Sequence, residues 1–278
     1  MLRLLTAAIM LCACAPAANT SAQAQTPPGS LFAAAPDRQS RLPAELREIS
    51  GLALSPDGHL FAHDDERAAI YELDTGSGRI VKTFTLGEGE TGDFEGLAIT
   101  PSGDFWMTTS QGRLFKFREG ANGARVPFER FDTALRNVCE IEGLAYLAAE
   151  ESLILACKRN EARNMRDTVS LHAWRIGAAQ AQPWRQWPEA TIAGAAGVEH
   201  FRPSSLDIDP ATGRLLLLSA RDGALAELEG DRIVSARALR GEHIQAEGVA
   251  VLSDGSLAIS DEGGEGFALL SIYPRSAR

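Results

Sequence analysis

Apolar residues in this chain fall into short runs separated by turn residues, and the runs recur at a fixed distance. Five segments align on one pattern. They are Glu48-Ile49-Ser50-Gly51-Leu52-Ala53, Asp93-Phe94-Glu95-Gly96-Leu97-Ala98, Glu140-Ile141-Glu142-Gly143-Leu144-Ala145, Arg202-Pro203-Ser204-Ser205-Leu206-Asp207 and Gln245-Ala246-Glu247-Gly248-Val249-Ala250. The fourth is degenerate. The glycine or its equivalent stands at 51, 96, 143, 205 and 248, giving steps of 45, 47, 62 and 43 residues. Each segment leads into a turn and a second apolar run. Ser55-Pro56-Asp57-Gly58 precedes Leu60-Phe61-Ala62, and Thr100-Pro101-Ser102-Gly103 precedes Phe105-Trp106-Met107. Proline and Asp preset such turns and Gly supplies a positive φ, so these are hairpin signals. A third run follows in most units, as in Ala69–Leu73 and Arg113–Phe117, and a fourth is visible as Ile80–Phe84.

A unit of this length with up to four short strands predicts the blade of a β-propeller. The expected fold is therefore all-β: five blades of four antiparallel strands around a central channel, in one domain spanning 44–278. A sixth blade hidden in the 62-residue step is the alternative count. The extra residues there, 160–168 and 178–200, lack a further motif copy and read as an insertion loop. Residues 40–47 are expected to supply a closing strand to the last blade.

Side chains alternate along a strand, so one set of motif positions faces the channel. Two stacked layers at one mouth follow from this alternation. One holds Glu95, Glu142 and Glu247 with Ser50 and Ser204. The other holds Glu48, Asp93 and Glu140 with Arg202 and Gln245. The motif leucines then pack between blades if the strand is bulged near the Gly. Six carboxylates near one axis repel and call for cations, raised pKa values or water. Oxygen-only donors suit Ca²⁺ better than Zn²⁺, so a Ca²⁺ ion is expected in the channel. The alternative is that these acids cap backbone N–H groups or sit solvated.

Composition and charge narrow the setting. Apolar residues at 45% and charged residues at 23% are ordinary for a globular protein. With Lys+Arg 27 against Asp+Glu 37, the net charge of −10 argues against nucleic acid as a partner. It suits cationic peptides or neutral sugars. No apolar run is long enough to span a bilayer as a helix. The N-terminus reads as an export signal: a charged Met1-Leu2-Arg3, a short apolar stretch from Leu4 to Ala13, and Leu11-Cys12-Ala13-Cys14. The last four residues resemble a bacterial lipobox, which makes residues 1–14 a lipoprotein signal and Cys14 the lipidated residue. Secretion with cleavage after Ala24 is the alternative. Ala15, rather than Asp, resembles the outer-membrane sorting pattern. Residues 15–43, rich in Ala, Pro, Ser and Gln, read as a tether. The expected location is the periplasmic face of the envelope, held by lipid, as a monomer. Cys139 and Cys157 stand on the two strands of one hairpin. Pairing Leu144 with Leu155 or Ala156 sets Cys139 near residue 160 or 161, which places the two cysteines beyond the usual disulfide distance. The register leaves the pairing open.

The five copies of Glu/Ser-Gly-Leu-Ala resemble the SdiA-regulated (YjiK-like) family of bacterial propellers. Glu48-Ile49-Ser50-Gly51-Leu52-Ala53 with Asp64-Asp65-Glu66, and Ala246-Glu247-Gly248-Val249-Ala250 with Asp261-Glu262, carry most of that resemblance. It implies a five-bladed propeller with a calcium site. Phytase-like esterase propellers are a more distant resemblance.

Three functions remain open: a tethered calcium-binding propeller that binds a ligand or envelope protein, a metal-dependent hydrolase of esters, lactones or phosphoesters, and an inert interaction module. The first is favoured, because no catalytic set is evident. Asp64, Asp65, Glu66, Asp261 and Glu262 follow the second strands of blades one and five and either complete an ion site or line solvated loops. His63 is the candidate general base. Trp184 and Trp187 either pin the insertion or form a lid.

Overall fold

The computed structural model describes residues 28–276. The strands form five sheets, one per blade. From the axis outward, blade one comprises Ile49–Leu54, Leu60–Asp64, Ala69–Leu73 and Ile80–Leu86. Blade two comprises Phe94–Ile99, Asp104–Thr109, Arg113–Arg118 and Phe128–Asp132. Blade three is Cys139–Leu147, Ser152–Asn160, Thr168–Arg175 and Gln182–Pro188. Blade four is Ser205–Ile208, Leu215–Ser219, Ala224–Glu229 and Arg232–Ala238. Blade five is Ala246–Val251, Leu257–Asp261 and Leu269–Tyr273, completed by Arg38–Arg41 from the start of the chain. The count is five; the expected hairpin glycines, among them Gly58, Gly103 and Gly255, have positive φ.

The closing strand pairs antiparallel with the last one, Arg38 opposite Ile272 and Arg41 opposite Leu269. This corrects the expected domain boundary at 44 and the closing segment 40–47. The ordered chain begins earlier still. Leu31 and Phe32 are buried, and Phe32 bridges Arg275. The Glu227 carboxylate accepts from Leu31 N (2.8 Å) and from Ser30 Oγ. Arg237 Nη2 donates to Ala33 O (2.9 Å) and Arg214 Nη1 to Gly29 O (2.6 Å). Residues 28–43 are thus part of the propeller rather than of a tether. Cys14 and the lipobox lie outside the described residues.

The expected insertion at 178–200 is also corrected. Gln182–Pro188 is the outer strand of blade three, and only Glu189–Ala196 is added, as a helix. Two prolines mask this strand in the sequence; an edge strand tolerates them because its outer side needs no ladder bonds. Trp187 is buried and its Nε1 donates to Asp231 O (2.9 Å), so it pins the strand and forms no lid.

The core is five separate apolar clusters, one between each pair of neighbouring blades. Phe61, Phe84, Phe105 and Phe117 fill the seam of blades one and two. Trp106 and Trp174 meet between blades two and three. The motif apolar residues Leu52, Leu97, Leu144, Leu206 and Val249 each enter one seam, which explains their recurrence. The motif glycine is explained by the same geometry. A Cβ added at Gly51, Gly96, Gly143 or Gly248 would press on Leu97, Leu144, Leu206 or Leu52 of the next inner strand. Glycine is required here by close approach, since none of these four has a positive φ.

Cys139 and Cys157 form a disulfide with Cα atoms 5.7 Å apart. The expected register holds, with Leu144 opposite Leu155 and Cys139 opposite Asn160. Two register shifts between Glu140 and Gly143 bend the strand and bring Cys139 back toward Cys157. A regular ladder hides that bend, which is why the expected separation was too long.

Candidate metal centre

The inner strands carry the decisive irregularity. In blade two Phe94 faces Thr109 and Gly96 faces Thr108, so Glu95 is an extra residue without an opposite. Glu142 stands likewise between Ile141 and Gly143, and Glu247 between Ala246 and Gly248. A bulge breaks strand alternation and re-aims one side chain. The bulged residue is the Glu, and the Gly beside it is the close-approach point. The three glutamates therefore converge: Glu95, Glu142 and Glu247 each place a carboxylate oxygen within 4.8 Å of the others. Glu142 is 3% and Glu247 9% exposed, so these charges are largely out of water.

Their partners are few. Ser50 Oγ donates to Glu95 Oε2 (3.4 Å) from blade one. Gln245 Nε2 donates to Glu247 Oε1 (2.7 Å) and also to Glu262. Lys158 Nζ donates to Glu142 Oε1 (2.8 Å). Ser204, expected in this layer, turns to the backbone and donates to Ala246 O (2.7 Å). Burial, then the Glu142, Asp93 and Glu247 charges, push the Glu95 carboxyl far up. Burial raises Glu142 against the pull of Lys158, and raises Glu247 against the Gln245 hydrogen bond. Burial opposes the Lys158 charge, but Glu142 outweighs it and the ammonium is held above its usual range.

The second expected layer does not assemble as one cluster among the described residues. Glu48 accepts from Arg47 Nε (3.0 Å), Asp93 accepts from Ser110 Oγ, and Glu140 pairs with Arg159 (3.0 Å). Arg202 donates through its backbone N–H to Ser219 Oγ (3.2 Å). The acids after the second strands divide by position. Asp64 caps its own loop, accepting from Arg67 N (2.9 Å) and pairing with the Arg67 guanidinium (3.0 Å). Asp261 is held by His243 Nδ1 (2.8 Å), whose Nε2 meets Tyr273 OH (2.6 Å). Their successors Asp65 and Glu262 join the mouth. Burial, with Asp64 and Glu48 nearby, raises Asp65 to about 6; burial, with a hydrogen bond to Glu48, raises Glu262 to about 8. His63 is fully buried against Gly51, where burial holds its pKa down at about 4, so it has no access to a substrate.

Lys158 was not legible as a site residue, though its position is. Ile49, Ile141 and Ala246 face Asp64, Cys157 and Asp261. Lys158 thus stands in blade three where Asp65 and Glu262 stand in blades one and five.

The donor set fits an oxygen-seeking divalent cation. Ca²⁺ binds oxygens at about 2.3–2.6 Å, so two of its ligands stand at most about 5 Å apart, a limit that the oxygens of the trio, within 4.8 Å of one another, respect.

The sequence model of the SdiA-regulated family matches residues 36–268. The chain belongs to the SdiA-regulated family. The match takes in blades one to four and all of blade five except Leu269–Tyr273. No curated protein matches this SdiA-regulated chain. Among solved structures, the glutaminyl cyclase of Myxococcus xanthus is similar at a TM-score of 0.55 and 14% identity, covering 87% of this chain and 97% of its own. The PQQ-bound aldose sugar dehydrogenase of Streptomyces coelicolor is similar at 0.54 and 16%, covering 89% and 99%. A streptogramin B lyase is similar at 0.52 and 12%, covering 85% and 97%. At these identities the shared feature is the propeller fold.

Proposed function

We propose that this SdiA-regulated protein is an exported, membrane-tethered, calcium-binding propeller whose acidic mouth binds a ligand or an envelope protein. The observation that carries the reading is the convergence of Glu95, half-buried, with the buried Glu142 and Glu247, all three re-aimed by bulges and met by the Lys158 ammonium at Glu142. Glu95, Glu142 and Glu247 hold the ion, with the Ser50 hydroxyl beside Glu95. Bound calcium offers its remaining coordination positions to oxygen atoms of a ligand at the mouth. The Cys139–Cys157 disulfide supports an oxidising compartment, and Leu11–Cys14 supports lipid anchoring at Cys14 on the outer membrane.

The test is thermal unfolding of the chain from residue 28, in chelator and across Ca²⁺ and Mg²⁺ concentrations. Selective binding to the native state stabilises by about 2.7 kcal/mol at a hundredfold excess over Kd. The expected result is a Ca²⁺-selective rise that Glu142→Gln abolishes. A flat response removes the metal from the reading. Calcium-dependent turnover of generic esters or phosphoesters would replace binding by hydrolysis; His63, the candidate base, gives that alternative no support because it is sealed in the blade.

A further inference from the structure

Three of the five blades send an acid into the channel from the bulge, and two send another from the end of the second strand. Blade three breaks the second pattern with Lys158. Its ammonium lies 2.8 Å from Glu142 Oε1 and is felt by Glu247 and Glu140 as well. Its side chain is 40% exposed, whereas that of Glu142 is 4% exposed. The lysine therefore reaches into the trio from a stem that still borders water, and a four-carbon stem can swing its charge back out.

We propose that Lys158 is an internal competitor for the cation: its ammonium and the metal ion contend for Glu142, and ion binding releases Lys158 toward the mouth. The proposal rests on the reading of Glu95, Glu142 and Glu247 as the ion's ligands. Like charges a few ångström apart repel strongly where water is scarce. An ion held by Glu142 and its neighbours meets that repulsion from Lys158. Charge balance does not require the lysine to stay. The mouth holds further acids in Glu48, Asp65, Asp93, Glu140 and Glu262, opposed by Arg47 and Arg159 on two of them. The consequence is a site weaker than its carboxylates alone would make it. It fills when free calcium is plentiful and reverts to a lysine-paired state when calcium is scarce. Calcium occupancy thereby sets whether a free primary amine stands at the mouth.

The test uses wild-type protein and Lys158→Met, which keeps the stem and removes the charge. Calorimetric titration with CaCl₂ is expected to give tighter binding in Lys158→Met, by about tenfold, which corresponds to about 1.4 kcal/mol. In wild type, acetylation of Lys158 read by mass spectrometry is expected to rise with calcium, with Lys82 and Lys116, the other lysines of the chain, as internal references. This second readout needs no variant. Equal or weaker calcium binding in Lys158→Met, with unchanged Lys158 acetylation, overturns the competition and leaves the metal site standing. Binding in Lys158→Met but not in wild type supports it in its strongest form. Binding in neither protein overturns both the competition and the metal reading.

Discussion

A Cβ placed on Gly96 would lie 2.8 Å from both the Cβ and the backbone N of Leu144 on the next blade. The innermost strands are thus set so close that a methyl group at this position has no room, and backbone as well as side chain must yield. Gly96→Ala is expected to destabilise by about 1–3 kcal/mol, as overpacking does. Gly143→Ala meets Leu206 at 3.1 Å and should cost less. Denaturant midpoints of the two variants check the order.

Removing the Cys139–Cys157 crosslink should be felt throughout the domain. The bridge closes a loop with a sequence separation of 18, for which chain entropy gives about 3 kcal/mol. Cys139→Ser with Cys157→Ser is expected to lower stability by about that amount. Wild type treated with a strong reductant should move toward the variant, and equal stability of all three would show that the crosslink contributes nothing.

The converging glutamates give metal-free protein a distinctive pH response. Glu95, Glu142 and Glu247 all have folded pKa values above their unfolded ones. Their protonated forms are favoured in the fold. Stability therefore falls as pH rises through the ordinary glutamate range toward the folded values, and is regained as pH drops. In chelator, the midpoint of unfolding is expected to be higher at pH 5.5 than at pH 8, because the loss begins near the ordinary Glu value of 4.5 and runs through the folded values, about 7 for Glu142 and about 10 for Glu95. Glu95→Gln with Glu142→Gln should flatten this difference, and saturating calcium should lift the pH 8 value most. An unchanged slope in the double variant would place the titrating groups elsewhere.

Phe32 lies in the segment that leads into the closing strand, and it is fully buried. Phe32→Ala is expected to cost about 3–5 kcal/mol. A chain beginning at residue 42 loses both Phe32 and Arg38–Arg41, leaving the outer side of Leu269–Tyr273 unpaired. Such a chain should aggregate or unfold at a temperature where the chain from residue 28 stays folded.

The five blades, the Leu and Val in each seam and the convergence of Glu95, Glu142 and Glu247 are legible in the sequence, because each recurs at a fixed offset and repetition averages out local ambiguity. What is not legible happens once. Arg38–Arg41 has no apolar alternation; it is a strand because Leu269–Tyr273 leaves an edge to be paired. Gln182–Pro188 carries prolines that read as a loop until its edge position is known. The Cys139–Cys157 bond depends on a bend that no residue type announces. Lys158 follows the apolar run Leu153–Cys157 as many surface lysines follow such runs, and only the blade-by-blade register shows that it replaces an acid.

The N-terminal segment enters at Gly29, beside Arg214, and Phe32 bridges Arg275, which grips Asp209 (2.9 Å). Asp209 follows the inner strand Ser205–Ile208, at the end of the channel away from Glu95, Glu142 and Glu247. The chain thus joins the propeller at its bottom. A pull through the proposed anchor would act on the end of the channel away from the acidic opening and leave the cation site unloaded.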